Sequence, residues 1–396
     1  MLPKIKMYLI LELLMTAVIG GWQYYQKGAD SAILVGITIL ISFSPFCLAL
    51  SSPIVLRLAK RMINALDIKI ASTDSIVNLS TINTVAISMN NIVTDGNYYV
   101  TDLVPEGLSQ SSLLAFAASV EQESTHVLGR KILETAEHRK LNIQPISAFR
   151  EVPNCGVEGL MNGMPIRVGR PRWIEDEGVR ISAELLTKVD QLAARGKTPV
   201  MLSMGKMARG IIALKDEIDD DARTFLGQLK QIGLETVMLS GDPKKTVNAV
   251  AKHISIDSFR AALSPEDKAR EIQLLRARGK FVAMIGKEFR DLPALLNADV
   301  SVLLVDGNFV LTNGDIKMDF ELDDLQKFMD IRQIAEKARS IIKQNKQLAY
   351  LSWICLIPPS LMMVLDSPLI PFNPFFAAVG VTIFTILIII NSFRMK

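Results

Sequence analysis

The stretch Val85-Ala-Ile-Ser-Met-Asn-Asn-Ile-Val-Thr-Asp-Gly96 sets a short apolar run directly before a polar turn. A run of that kind reads as a buried parallel strand that delivers a polar group at its end. Two more follow, Val237-Met-Leu239 and Phe281-Val-Ala-Met-Ile285, preceded by helix-like stretches at 222–232 and 266–278. Strands alternating with helices predict an α/β sheet with crossover helices. Between Gly96 and Gly205 the texture changes: a helical stretch, Ser109–Leu141, gives way to strand and turn signals around Gly156, Gly159, Gly163 and Gly169. This is an α+β domain, 96–205, inserted into an α/β domain whose two halves are 58–95 and 206–340. Asp216-Glu-Ile-Asp-Asp-Asp221 has no calcium-loop spacing and reads as an acidic helix start, where negative charge suits the dipole.

Outside this segment the chain is apolar. Residues 7–25 carry one charge, Glu12, and residues 31–56 carry none; 348–365 and 372–390 close the chain. Each can cross ~30 Å of hydrocarbon, so four α-helical membrane spans are expected. No small-residue cleavage site follows the first, which argues against a signal peptide. Lys4, Lys6, Arg57, Lys60, Arg61, Lys343, Lys346, Arg394 and Lys396 flank one side of the spans, and Lys27 stands alone on the other. Positive residues collect on the cytoplasmic side, so both termini and the large loop are expected there, in a multi-pass plasma-membrane protein whose first partner is the lipid bilayer. Trp22, Tyr24 and Tyr25 suit the outer interface, and Glu12 is expected to snorkel toward water.

Composition narrows the function. Forty-four basic against 41 acidic residues give +3, too even for nucleic-acid binding. A mean hydropathy of +0.28 with 21% charged residues means that apolar and charged segments are segregated rather than disordered. Three cysteines, Cys47, Cys155 and Cys355, make no disulfide framework.

Five motifs in order resemble the second half of a heavy-metal P-type ATPase of the copper/zinc type. Ser44-Pro-Phe-Cys-Leu-Ala-Leu-Ser-Ser-Pro53 is similar to that family's Cys-Pro-Cys membrane stretch, and Ser88-Met-Asn-Asn-Ile-Val-Thr94 stands at its Asp-Lys-Thr-Gly-Thr-Leu-Thr motif. Met238-Leu-Ser-Gly-Asp242, Ser264-Pro-Glu-Asp-Lys268 and Gly286-Lys-Glu-Phe-Arg-Asp-Leu-Pro-Ala-Leu295 resemble its Met-Leu-Thr-Gly-Asp, Pro-Glu-Asp-Lys and Gly-Asp-Gly-Ile-Asn-Asp-Ala-Pro-Ala-Leu motifs. The resemblance implies a haloacid-dehalogenase-like phosphorylation domain with an inserted nucleotide-binding domain. Thr-Gly-Glu, the family's actuator motif, does not occur in the chain, so the expectation is a degenerate, N-terminally shortened relative without that domain.

The resemblance also marks what has changed. The family's nucleophile is a carboxylate, ionised at neutral pH; Ser88 offers a hydroxyl that needs an adjacent base. Lys287 replaces a magnesium-binding Asp, leaving Asp291, and the local charge moves from about −2 to about +1. The Lys287 ammonium is expected to repel Mg²⁺ and to act as counter-charge for Asp291 or Asp242. Lys268 and Ser240 retain phosphate-contact chemistry. Ser124-Thr-His126-Val127 is similar to the family's Ser-Glu-His-Pro, and Asn154-Cys-Gly156 to its Gly-x-Gly, which makes His126 and Gly156 weak nucleotide-binding candidates. A lone helical His is otherwise a surface residue.

In the membrane, Ser44 and Pro45 stand where soft-metal thiolates would be, and Ser352-Trp353 stands at the family's Tyr-Asn pair. Cys47 and Cys355, with Met362 or Met363, form the candidate metal set, against the plainer reading of buried cysteine as a small hydrophobe. The expected function is a catalytically dead pseudo-ATPase with a regulatory, binding or structural role, beside a complete metal pump. ATP is its candidate ligand and Mg²⁺ a poor one. The alternative is an active cation-transporting ATPase whose actuator comes from a partner chain.

Overall fold

The computed structural model describes residues 2–153, 155–254, 256–305, 318–364 and 373–395. Asn154, Lys396 and the expected span ends Leu365 and Phe372 lie outside the described residues. The chain divides into two compact units, Met1–Thr81 with Val310–Lys396, and Ile82–Phe309.

The first unit holds four helices long and apolar enough to cross a membrane: Lys6–Lys27, Ala29–Asn64, Lys327–Val364 and Pro374–Met395. The second is broken into Ala29–Ser42, Phe46–Leu50 and Pro53–Asn64, because Pro45 and Pro53 bring no amide N–H. At the first break the Phe46 N–H turns to the Ser44 hydroxyl at 3.4 Å, and the Trp353 indole N–H donates to the Ser44 carbonyl at 3.1 Å. An unwound carbonyl in hydrocarbon needs such a donor.

The third helix is one rod of 38 residues starting at Lys327, well before the expected span start at Leu348. At 1.5 Å per residue it is about 57 Å long, far more than a bilayer core requires. Arg339 on its charged half donates to the Ser80 carbonyl at 2.7 Å, and Arg332 to that of Leu79, so both satisfy the C-terminal end of the helix Thr73–Leu79. Residues 58–81 cluster by contact with this unit, where Lys69–Ile70 pairs antiparallel with Phe320–Leu322. Asn345, fully buried, donates to the Ser51 carbonyl at 3.1 Å and the Ser392 hydroxyl at 2.9 Å, and accepts from Asn391 at 2.9 Å. Trp22, Tyr24 and Tyr25 are exposed. Glu12 does not snorkel: it is 7% exposed.

The second unit contains a parallel sheet in the spatial order Val300–Leu304, Val282–Gly286, Thr84–Ser88, Glu235–Leu239, Ser258–Arg260. The two most central strands are buried at every position, which explains their unbroken apolar sequence. The helices Asp220–Gln231 and Pro265–Ala277 are capped by Asp219 and by a Ser264–Asp267 capping box.

The insert is a six-stranded antiparallel sheet, with Tyr99–Pro105 at one edge and Ser147–Val152 at the other. Met207–Lys215 pairs with Tyr99–Pro105 inside it, so the insert runs past the return expected at 206. The expected helix 109–141 is two, Gln110–Glu121 and Val127–His138. They turn at His126, whose ring caps the second.

Candidate functional site

Three adjacent parallel strands end together: Val282–Gly286, Thr84–Ser88 and Glu235–Leu239. The carboxyl ends of such strands form the crevice where α/β sheets place their chemistry. Ser88 closes the middle strand, Ser240 follows the third, and Lys287 follows the first.

A buried triad occupies this crevice. The Lys268 ammonium lies 2.8 Å from Asp291 Oδ1 and 3.2 Å from Ser88 Oγ, and the Ser88 hydroxyl donates to Asp291 Oδ1 at 3.0 Å. Asp291 has no exposed surface, Ser88 has 2% and Lys268 8%. The other oxygen of Asp291 accepts the backbone N–H groups of Lys287 at 3.2 Å and Glu288 at 3.4 Å. Lys268 sits in the first turns of its helix, where the dipole disfavours a cation, so Asp291 is what stabilises it there.

Lys268, rather than the expected Lys287, is the counter-charge of Asp291, which also accepts the Lys287 backbone N–H. The Lys287 ammonium instead draws down the Asp95 carboxyl, which burial and then Asp219, Glu217 and Asp220 push up.

The turn after Ser88 is shaped around Asn91, at φ +60°, whose side-chain amide donates to Glu288. Gly96 is required beside it: its φ is +69°, and a Cβ would fall 1.7 Å from Asn91 Oδ1. Burial raises the Glu288 carboxyl, reinforced by Asp291. Ser240, fully buried, forms a separate pair with Asp242, donating to its carboxylate at 3.1 Å and accepting its N–H at 3.1 Å. Asp216, read from sequence as part of an acidic helix start, lies ahead of that helix, and burial pushes its carboxyl up to about 6, with Thr94, Gly96 and Tyr98 opposing.

The insert's candidate residues behave differently. His126 is exposed and its Nδ1 accepts the Leu128 N–H at 3.2 Å, which makes it a helix cap with Nε2 as the protonated nitrogen of the neutral ring. Close by is Glu121, which sequence reasoning missed; it is 6% exposed, and burial pushes its carboxyl up to about 7. A Cβ on Gly129 would stand 2.1 Å from Glu121 Oε2, so this glycine makes room for the carboxyl. Glu121 was findable: it continues the apolar stripe Leu113, Leu114, Ala117, Ala118. Gly156 has a packing reason of its own, since a Cβ there would lie 2.2 Å from the Val168 carbonyl and 2.8 Å from Trp173.

The two membrane cysteines differ in environment. Cys47 is buried beside Leu48, Ala349 and Ile388, its Sγ 3.6 Å from Thr385 Oγ1, whereas Cys355 is exposed. Ser44 and Pro45 lie at the helix break, and Ser44 offers its carbonyl to Trp353. Among the described residues no group of three or more His, Cys, Asp or Glu is arranged to hold a metal ion. Magnesium, which the fold implies, does not fit at the strand end: Ser88 offers a hydroxyl where a carboxylate would be needed, and both oxygens of Asp291 already accept donors from the protein.

Comparison with known proteins agrees with this architecture. The haloacid dehalogenase-like hydrolase family matches residues 82–299. A copper-exporting P-type ATPase of Legionella pneumophila is 25% identical over 100% of this chain and 53% of its own. Copper-exporting P-type ATPase B of Archaeoglobus fulgidus is 29% identical over 94% of this chain, again 53% of its own. The chain thus spans about half the length of these curated relatives. A zinc-transporting PIB-type ATPase in an E2.Pi state superposes with a TM-score of 0.70 at 25% identity, over 98% of this chain and 62% of that one. The catalytic domain of the CPx-ATPase CopB-B gives 0.53 at 25% identity, covering 72% of this chain and 98% of that one. With a parallel-sheet domain, an insert and membrane helices in the same order, the chain belongs to the haloacid dehalogenase-like hydrolase family, as a relative of the heavy-metal P-type ATPases.

Proposed function

We propose that this membrane protein is a pseudo-ATPase, keeping the scaffold of a metal pump without its phosphorylation cycle and acting by binding or regulation. The observation that carries this reading is the Ser88–Lys268–Asp291 triad. Acyl-phosphate formation needs an ionised carboxylate at the strand end. Here stands a hydroxyl, and the base it touches, Asp291, is already paired with the Lys268 ammonium and two backbone N–H groups. The same ion pair closes the place a divalent metal would need. Nucleotide contact, if the insert retains it, falls to the Glu121–His126–Gly129 corner and is independent of Mg²⁺. The soft-metal route has lost its thiolates in parallel: one cysteine is buried among aliphatic side chains and the other faces outward. The lysines and arginines that flank the spans support a cytoplasmic side for both termini and the 58–347 segment. A complete metal pump, or a separate actuator-bearing chain, is the natural partner for such a scaffold.

The test is incubation of the purified full chain with γ-labelled ATP and Mg²⁺. No covalent label is expected. Hydroxylamine-sensitive label on the chain would overturn the reading and favour an active cation-transporting ATPase completed by a partner.

A further inference from the structure

A groove of about 580 Å³ runs between the last two spanning helices, Lys327–Val364 and Pro374–Ser392. Gln344, Gln347 and Asn391 line one end, and Leu348, Leu351 and Ile354 the other, with Tyr350 beside them. The residues of the longer helix recur at steps of three and four, so they share one face of it. From Gln344 to Ile354 that face extends about 15 Å, half of a ~30 Å hydrocarbon core. The groove therefore has the depth of one lipid leaflet, polar at one end and apolar along the rest. Leu351 and Ile354 stay 45% and 68% exposed.

Charge collects at the polar end. Arg394 donates through Nη1 to Gln344 Oε1 at 3.2 Å and to Asn391 Oδ1 at 3.1 Å, which fixes its guanidinium there. Both bonds use one nitrogen of a fork with five N–H donors, and that fork matches a phosphate group. Lys343 is exposed one turn from Gln347. Residues 337–364 and 374–395 include Lys337, Arg339, Lys343, Lys346 and Arg394, and no acidic residue. The next acid along the helix, Glu336, is paired with Arg332 at 2.8 Å. An anion is thus attracted to this end, whereas a second copy of the chain, basic at the same place, is repelled.

We propose that this groove binds an anionic phospholipid, its phosphate against Arg394 and Lys343 and one acyl chain along Leu348, Leu351 and Ile354. Arginine donates paired, charge-assisted hydrogen bonds to phosphate oxygens, and basic side chains just outside a span draw anionic headgroups. A free phosphate would meet the polar end alone and leave the apolar face uncovered. A zwitterionic headgroup would bring its own ammonium against the same cations.

The test uses the purified full chain in neutral detergent micelles, titrated with phosphatidylglycerol or phosphatidylcholine of the same acyl chains. Native mass spectrometry counts the bound lipid. Wild type is expected to bind one phosphatidylglycerol about tenfold more tightly than phosphatidylcholine. Arg394→Gln with Lys343→Gln is expected to erase that preference, and Leu351→Trp to weaken both lipids by obstructing the groove. Arg57→Gln, which removes a span-flanking charge outside the groove lining, is expected to change neither. Equal wild-type affinity for the two lipids overturns the proposal. So does displacement of phosphatidylglycerol by inorganic phosphate, the mark of a free-anion site, or a lipid-free dimer, the mark of a second copy in the groove. An Arg57→Gln as costly as the double variant overturns it too, since general surface charge would then explain the binding. If the double variant fails to fold, Leu351→Trp decides alone: unchanged phosphatidylglycerol binding overturns the site, weakened binding supports it.

Discussion

Both oxygens of Asp291 are engaged by the protein itself, and that local fact explains most of what the crevice can and cannot do. Breaking a buried pair from one side leaves an uncompensated charge, typically at a cost of about 3–5 kcal/mol. Lys268→Met is therefore expected to destabilise the chain by about that amount, and Lys268→Met with Asp291→Asn to recover much of it, as read by denaturant or thermal unfolding. Glu121 gives a pH-dependent counterpart. Its carboxyl is raised to about 7 in the folded chain against an ordinary value of 4.5. Between those values the folded state binds the extra proton, so stability falls as pH rises through this window. Glu121→Gln removes that slope. Its melting temperature is expected to stay level from pH 5 to 8 while wild type falls, the two diverging by roughly 3 kcal/mol at pH 8. A wild-type curve with no slope in this window would contradict the assignment. None of these partnerships was legible as such: Ser88, Lys268 and Asp291 are far apart in sequence, and no local pattern says which lysine meets which aspartate.

Elements were easier to read than their junctions. Apolar runs marked the central strands of the parallel sheet, and the acidic run Asp216–Asp221 marked the helix that Asp219 caps. The break between Gln110–Glu121 and Val127–His138 was not visible, because both helices bury their faces in one core and the apolar spacing continues across the turn. The extra strand Met207–Lys215 was assigned to the wrong domain for a similar reason: an alternating apolar strand does not declare which sheet it joins. At the membrane break, Trp353→Phe keeps the ring against Tyr8 but orphans the Ser44 carbonyl. The expected loss is about 1–3 kcal/mol, measured by thermal unfolding in nanodiscs. Adding Pro45→Ala returns an amide donor to the second span and is expected to restore part of that loss.

At the level of the whole molecule, charge asymmetry across the spans makes a topological prediction. A reporter that is active only outside the cytoplasm is expected to work when inserted after Lys27 and to be silent after Arg394. The opposite pattern would refute the orientation. The segregation of apolar and charged stretches and the order of five short motifs were readable without a structure, because both are contiguous along the chain. They determined the four spans, the α/β domain and the kinship with metal pumps. Only tertiary structure decided that Lys268 rather than Lys287 neutralises Asp291, that Cys47 is buried while Cys355 is exposed, and that Glu12 turns inward. Each of these depends on which faces meet when distant segments pack, and burial, not residue type, sets the chemistry of a charge or a thiol.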